Sequence, residues 1–136
     1  MKKTLLSVIL LAMSSTCLAE IVTIEVEDLG ELVSRGVPLV DVRTAGEWQE
    51  TGIVPGSRTL TYFDEQGRSD PEAWMREFQS IAGPDDEVAI ICRSGARSRA
   101  VAEFLDKERR YSRVYTVGGG VVGWKALGRP TVDPQR

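Results

Sequence analysis

The chain has 136 residues, of which 42% are hydrophobic and 27% are charged, so it can build one globular domain but has little room for a second. Its formal net charge of -3 and its lack of a basic run argue against nucleic acid or an anionic membrane surface as the main partner. The sequence contains no histidine, which excludes cysteine–histidine dyads, histidine-ligated metals and acid–base steps by an imidazole.

The N-terminal segment has the pattern of a secretory signal peptide. Two lysines precede an apolar run over residues 5–13, and small residues follow up to Ala19. The apolar run is too short to span a bilayer well, and the order of the three regions is typical of an export signal. We therefore expect a signal peptide over residues 1–19, cleavage near Ala19, and a periplasmic or secreted mature domain over residues 20–136 without a stable membrane anchor.

Two alternatives for this segment stay open at the sequence level. The apolar run is alternatively a retained membrane anchor, or Cys17 marks a lipoprotein signal, although Thr16 is an unusual residue before a lipidated cysteine. Cleavage would remove two lysines and no acidic residue, so the net charge of -3 would become -5. It would also leave Cys92 as the single cysteine of the mature chain.

The mature chain begins with a predicted strand and helix. Residues 21–26 are alternating and rich in β-branched side chains, and helically spaced apolar residues follow up to Gly36. The continuous apolar run over residues 37–42 is typical of a strand that is buried on both faces.

The next elements are shorter. Thr44 is predicted to cap a helix with Glu47 at its third position and Gly52 as its stop. A Pro-Gly turn then leads to a short predicted strand over residues 58–62.

The middle of the chain predicts a third helix. Asp70 caps it, Pro71 occupies its first position, and Gly83 with Pro84 ends it. We expect Trp74, on the apolar face of this helix, to belong to the core.

The last third predicts strands over residues 87–91 and 112–117, with a helix through Arg109 between them. Three glycines then form a break before a final helix, in which Trp124 is expected to be a core residue. Strands and helices alternate along the whole mature chain, which predicts an α/β domain with a parallel sheet covered on both faces.

Three features are expected at one edge of that sheet, because the carboxyl ends of parallel strands lie together. They are Asp41 and Arg43 after one strand, Cys92 after another, and the three glycines after a third. Only Cys92 is a nucleophile. A lone cysteine forms no internal disulfide, CxxC pair or zinc site, so it is buried and inert, bonded to another molecule, or reactive.

The residues after Cys92 favour reactivity. Gly95 permits a tight turn from strand to helix, and the small side chains of Ser94 and Ala96 do not obstruct it. Converging backbone N–H groups and the helix dipole would then stabilise an anion at the cysteine. Arg93 and Arg97 add positive charge at the mouth of the loop.

These residues resemble the active-site loop of the rhodanese-type sulfurtransferases. The resemblance rests on "CRSGARS" at residues 92–98, and it continues through "DVRTAGEW" at 41–48, "TGIVPGS" at 51–57 and "VGGGVVGWKALGRP" at 117–130. The segments follow the family's order over nearly the whole mature chain. Two departures are Ile53, where the family often has histidine, and a triple glycine in place of a pair, which leaves the glycine register open.

The resemblance implies a three-layer αβα sandwich with a central, mostly parallel five-stranded sheet. It also implies sulfur transfer: the Cys92 thiolate takes the outer sulfur of a small anionic donor such as thiosulfate and holds it as a persulfide. Cyanide, a thiol or a protein then accepts the sulfur. No metal and no organic cofactor is expected, because the intermediate is the covalent persulfide itself.

Several roles in the loop are left open by the sequence. Ser98 either donates to the anion or caps the following helix, and Arg97 either binds the donor or pairs with Asp41. Arg99 is expected to be a solvated surface charge.

Other functions are alternatives to a thiosulfate sulfurtransferase. The domain is alternatively a persulfide carrier or sulfur sensor that works with a partner protein. A phosphatase or arsenate reductase is less favoured, because only four residues separate Cys92 from Arg97 and the phosphate loop of those enzymes has five.

Overall fold

The computed structural model describes residues 20–134, which form five strands and five helices in alternation. The strands are β1 (Glu20–Glu25), β2 (Leu39–Asp41), β3 (Arg58–Thr59), β4 (Glu87–Ile91) and β5 (Arg113–Gly118). The helices are α1 (Val26–Ser34), α2 (Ala45–Thr51), α3 (Pro71–Phe78), α4 (Ala96–Arg109) and α5 (Gly120–Ala126). The predicted signal peptide over residues 1–19 lies outside the described residues.

All five strands form one sheet in the order β1-β5-β4-β2-β3, and every neighbouring pair is parallel. The central strand β4 sends alternate side chains to opposite faces: Val88 and Ile90 enter one core, and Ala89 and Ile91 enter the other. A strand that is covered on both faces reads as a continuous apolar run, as β4 does. The predicted three-layer α/β architecture is confirmed.

Each face of the sheet is covered by two helices that bury an apolar side. Helices α3 and α4 pack on one face, where Trp74 is 4% exposed and its ring stacks on Phe78 with centroids 4.4 Å apart. Helices α1 and α5 pack on the other face, where Leu29 is fully buried and Trp124 is 7% exposed. The predictions that Trp74 and Trp124 are core residues are confirmed.

The carboxyl ends of β2, β4 and β5 lie together, as the parallel topology requires. Asp41 is aligned with Ile91, the residue before Cys92, and the Val42 N–H bonds to the Ile91 carbonyl at 3.0 Å. Strand β5 runs beside β4 on its other side and ends at Gly118. The sheet therefore brings Cys92 between the segment after β2 and the glycines after β5.

Two predicted elements are shorter in the structure. Helix α3 ends at Phe78 instead of continuing to the Gly83–Pro84 stop, and residues after it form turns that still bury Ala82. Strand β3 has two residues instead of five, although the Leu60 N–H still bonds to the Asp41 carbonyl at 3.0 Å. Apolar periodicity reports burial, and burial continues past the point where regular hydrogen bonding stops.

The predicted break between the last strand and the last helix is present, but it is one residue long instead of three. Gly118 is the last residue of the strand, Gly119 is the N-cap, and Gly120 is the first helical residue.

Among residues 20–134, no helix has the length and apolar character needed to cross a bilayer.

Candidate active site

Cys92 lies at the bottom of the loop between β4 and α4 and is 1% exposed. Its Sγ accepts a hydrogen bond from the Gly95 N–H at 3.1 Å and lies 3.5 Å from the Ser98 Oγ. Gly95 has a φ of +120°, a conformation that other residues rarely adopt, and this reversal turns its N–H toward the sulfur. The predicted cradle of backbone N–H groups is present around the sulfur.

The pKa of the Cys92 thiol is below its ordinary value. Burial by itself raises this pKa, because the charged thiolate loses water. Hydrogen bonds from the Ser98 hydroxyl, and from the N–H groups of Ser98, Gly95 and Ser94, outweigh burial. The thiolate is therefore stabilised by neutral donors of its own loop, without an imidazole.

Ser98 acts on the sulfur, and its predicted role as a helix cap is wrong. The N-cap of α4 is Gly95, and no side chain caps this helix. Ser98 is fully buried, and its hydroxyl donates to the Gly95 carbonyl at 3.0 Å while the Cys92 thiol donates to the Ser98 Oγ. When the thiol loses its proton, the hydroxyl is within reach to donate to Sγ instead.

Arg97 forms a two-point ion pair with Glu47, with N–O distances of 2.6 and 2.8 Å. Glu47 also completes the capping box of α2 with Thr44, so the predicted cap is confirmed. The hydrogen bond from Arg97 lowers the pKa of Glu47 to about 2. The alternative pairing of Arg97 with Asp41 is therefore wrong, and much of the positive charge expected at the mouth is neutralised by Glu47.

Asp41 is bound by Arg43, which explains why it does not reach Arg97. The pair is buried, with side chains 0% and 1% exposed and a shortest N–O distance of 2.7 Å. Arg43 also donates to the Thr51 hydroxyl and the Gly52 carbonyl. Asp41 and Arg43 therefore join the end of β2 to the end of α2 beside the loop.

The backbone of the Cys92 loop is bonded to the start of α5. The carbonyls of Cys92 and Arg93 accept hydrogen bonds from the N–H groups of Val121 and Val122, each at 3.0 Å. A Cβ on Gly120 would come within 2.5 Å of the Arg93 carbonyl oxygen and still closer to that of Cys92. Gly120 is therefore the glycine of the three at which a side chain would collide with the Cys92 loop.

The other loop side chains point outward. Arg93, Ser94 and Ala96 are exposed, and Ser94 contributes its N–H to the sulfur. Arg99 is exposed and pairs with Glu103 at 3.2 Å, as expected of a surface charge.

A cleft of about 310 Å³ lies beside the loop, between α2 and α5. It is lined by Arg43, Glu47, Glu50, Thr51, Arg93, Val121, Val122 and Lys125. Sequence reasoning did not assign Glu50, Val122 or Lys125 to the site, because helical spacing alone does not say which exposed face of α5 meets α2. The sequence predicted Glu47 only as part of the cap of α2. Its spacing from Thr44 gave no indication that it also pairs with Arg97.

Within the described part of the chain, no group of three or more cysteine, aspartate or glutamate side chains is arranged to hold a metal ion. The chemistry that this arrangement supports is that of a thiolate stabilised by the N–H groups and the hydroxyl of its own loop.

Comparison with known proteins gives the family of this fold and loop. The model of the rhodanese-like domain family matches residues 25–127. Thiosulfate sulfurtransferase 18 of Arabidopsis thaliana is 31% identical over 116 residues, covering 82% of this chain and 83% of that protein. A sulfurtransferase of Allochromatium vinosum is 33% identical over 99 residues, covering 73% of this chain and 81% of the relative.

A solved structure of a rhodanese-related protein from Thermoplasma volcanium superposes with a TM-score of 0.61 and 28% identity. The superposition covers 82% of this chain and 97% of that one. Because the family model spans most of the sequence, the chain belongs to the rhodanese-like domain family.

Proposed function

We propose that the protein is a thiosulfate sulfurtransferase in which Cys92 carries the transferred sulfur as a persulfide. The observation that carries the proposal is the position of the Cys92 Sγ, which accepts from the Gly95 N–H at 3.1 Å within a loop that lowers its pKa. A thiolate is the nucleophilic form of cysteine, and this loop stabilises it without a general base.

In the first half-reaction the Cys92 thiolate attacks the outer sulfur of thiosulfate. A bond forms between Sγ and that sulfur, the sulfur–sulfur bond of thiosulfate breaks, and its electron pair leaves with sulfite. The persulfide then carries negative charge one atom beyond Sγ. The N–H groups that stabilise the thiolate are the nearest donors for that charge.

In the second half-reaction a thiophilic acceptor such as cyanide or a thiol attacks the outer sulfur of the persulfide. The bond to Sγ breaks, and its electron pair restores the Cys92 thiolate. Splitting the transfer at a covalent intermediate divides one difficult step into two easier ones.

The positive charges around the loop favour an anionic sulfur donor, and Arg93 is the residue expected to attract it most. Arg97 is held by Glu47 at 2.6 Å, whereas Arg93 is exposed and forms no ion pair with any residue of the range 20–134. The names of the relatives support thiosulfate as that donor.

The test is to incubate the protein with thiosulfate and to measure intact mass and sulfite. We expect a gain of one sulfur atom on Cys92 and one equivalent of sulfite, and neither in Cys92→Ser. The absence of both, under conditions where another rhodanese is loaded, would refute the proposal.

A persulfide carrier that needs a partner protein is the second candidate, and the burial of Cys92 at 1% exposure favours it. Such a carrier would load once with thiosulfate and stop. Sustained thiocyanate formation with saturating thiosulfate and cyanide, dependent on Cys92, supports the enzyme. A single equivalent, released only by an added protein, supports the carrier.

A further inference from the structure

The cleft beside the Cys92 loop is larger than the proposed donor requires. Its volume is about 310 Å³, whereas each water in a liquid occupies about 30 Å³, so it holds far more than the five heavy atoms of thiosulfate. Volumes of about 300 Å³ and above are typical of small-molecule sites with an apolar part and a few polar contacts. The cleft has both kinds of lining, because Val121 and Val122 line it together with charged side chains.

The charges in the cleft divide into paired and unpaired groups. Arg43 is bound to Asp41, and Glu47 is bound to Arg97, so each of these pairs is internally neutral. The other charged side chains that line the cleft are Arg93, Lys125 and Glu50. None of the three forms an ion pair with a residue of the described range 20–134, so the cleft has a net positive charge for a ligand.

The cleft is joined to the loop that carries Cys92 through two contacts. Val122, in the cleft lining, donates its N–H to the carbonyl of Arg93, the residue next to Cys92. On the opposite wall, Glu47 binds Arg97, which belongs to the same loop as Cys92. A ligand in the cleft is therefore next to the loop that holds the persulfide.

We propose that this cleft binds the sulfur acceptor, a small thiol that carries a carboxylate, and that Lys125 and Arg93 select it. The inference rests on the sulfur transfer proposed above. The acceptor thiolate attacks the outer sulfur of the Cys92 persulfide, and a new sulfur–sulfur bond forms on the acceptor. The bond to Sγ breaks with its electron pair on Sγ, so the products are an acceptor persulfide and the Cys92 thiolate.

The test compares three small thiols of similar length and different charge. Protein loaded with sulfur and freed of donor is mixed with mercaptopropionate, mercaptoethanol or cysteamine, and the loss of the persulfide is followed. Each rate is expressed per thiolate and divided by the rate of the same thiolate with a small disulfide in solution, because thiolate nucleophilicity itself rises with the pKa of the thiol. All comparisons of the thiols use this corrected rate. We expect mercaptopropionate to react about threefold to tenfold faster than mercaptoethanol, with cysteamine slowest.

Variants of the cleft should change this preference in opposite directions. Lys125→Met should reduce the advantage of mercaptopropionate about threefold, and Glu50→Gln should increase it. Lys107→Met is the matched control, because Lys107 is an exposed lysine in the last turn of α4, far along the helix from the loop. Equal rates for the three thiols, or a preference that Lys125→Met leaves intact, would overturn the proposal.

A second measurement keeps this result separate from the proposed function. Alkylation of unloaded Cys92 by iodoacetate and by iodoacetamide compares an anionic with a neutral probe and needs no sulfur donor. The ratio of the two rates should fall about threefold in Lys125→Met and stay constant in Lys107→Met. If thiosulfate fails to load Cys92, the proposed function fails, while this ratio still decides whether Lys125 selects anions.

Discussion

The reactivity of Cys92 depends on hydrogen bonds within a stretch of seven residues of its own loop. Burial opposes the thiolate, and donors from Ser98, Gly95 and Ser94 overcome that cost. Ser98 is the one side-chain donor among them, and its proton has two acceptors within reach, the Gly95 carbonyl and the sulfur. The protonation state of Cys92 and the orientation of this hydroxyl are therefore coupled.

We predict that Ser98→Ala raises the pKa of Cys92. The variant removes a donor to the thiolate and leaves the burial that disfavours the charge. The rate of Cys92 alkylation by iodoacetamide, measured against pH, should move to higher pH, and sulfur loading at neutral pH should slow about tenfold.

Ser94→Ala is the control for this prediction, because it removes a hydroxyl from the same loop and keeps the Ser94 N–H that donates to the sulfur. Its pH profile should stay close to that of the unmodified protein. A Ser98→Ala profile that also stays in place would show that the backbone N–H groups alone stabilise the thiolate.

At the scale of elements, the junction between β5 and α5 supports the Cys92 loop. The first N–H groups of α5 bond to the loop carbonyls, and the approach is close enough that only glycine fits at position 120. Helix α2 supports the loop from the other side, since the Glu47 that caps it also holds Arg97. Two short helices thus determine the shape of a loop that belongs to neither.

We predict that Gly120→Ala destabilises the fold and disturbs the site together. The added Cβ would lie 2.5 Å from the Arg93 carbonyl, and Gly120 has a φ of +55°. The loss in free energy of unfolding should be about 2 to 4 kcal/mol, measured by denaturant titration. Alkylation of Cys92 should change in the same variant.

Gly128→Ala is the control that separates the two effects of Gly120→Ala, the backbone strain at a positive φ and the collision of the added Cβ with the loop. Gly128 also has a positive φ, +73°, but a Cβ there would meet nothing within 4 Å. This variant should cost about 1 kcal/mol and leave Cys92 alkylation unchanged. Equal costs for the two variants would contradict the close approach of Gly120 to the loop.

At the scale of the whole molecule, the described domain begins with β1 at its edge. Glu20 is already paired with Arg113 in the register between β1 and β5. Cleavage after Ala19 would therefore remove no residue of the five described strands, as the proposal of a removable export signal over residues 1–19 requires.

We predict that the full chain, produced in a bacterium with a general secretion pathway, is recovered from the periplasm starting at Glu20. The measurement is the intact mass and the N-terminal sequence of the periplasmic protein. Recovery of the uncleaved chain in the membrane fraction would favour a retained anchor. A lipid-modified chain that starts at Cys17 would favour the lipoprotein alternative.

Much of the fold was predictable because its signals are local. The capping box at Thr44, the Pro71 start of α3 and the apolar run of β4 act over a few residues, so the sequence alone reveals them. The ends of α3 and β3 were not predictable in the same way, because burial persists there after regular hydrogen bonding has stopped.

The sequence by itself determined the α/β class, the family resemblance and Cys92 as the nucleophile of the proposed reaction. Only the tertiary structure decided which charges remain available. Glu47 and Arg97 are 50 residues apart, yet they pair, and Asp41 is occupied by Arg43. The sequence shows which charged residues are near the ends of neighbouring strands. Which of them form ion pairs depends on distances of a few ångströms between side chains of different elements, and these distances exist only in the folded chain. For this reason Lys125 and the acceptor cleft became visible only in the folded molecule.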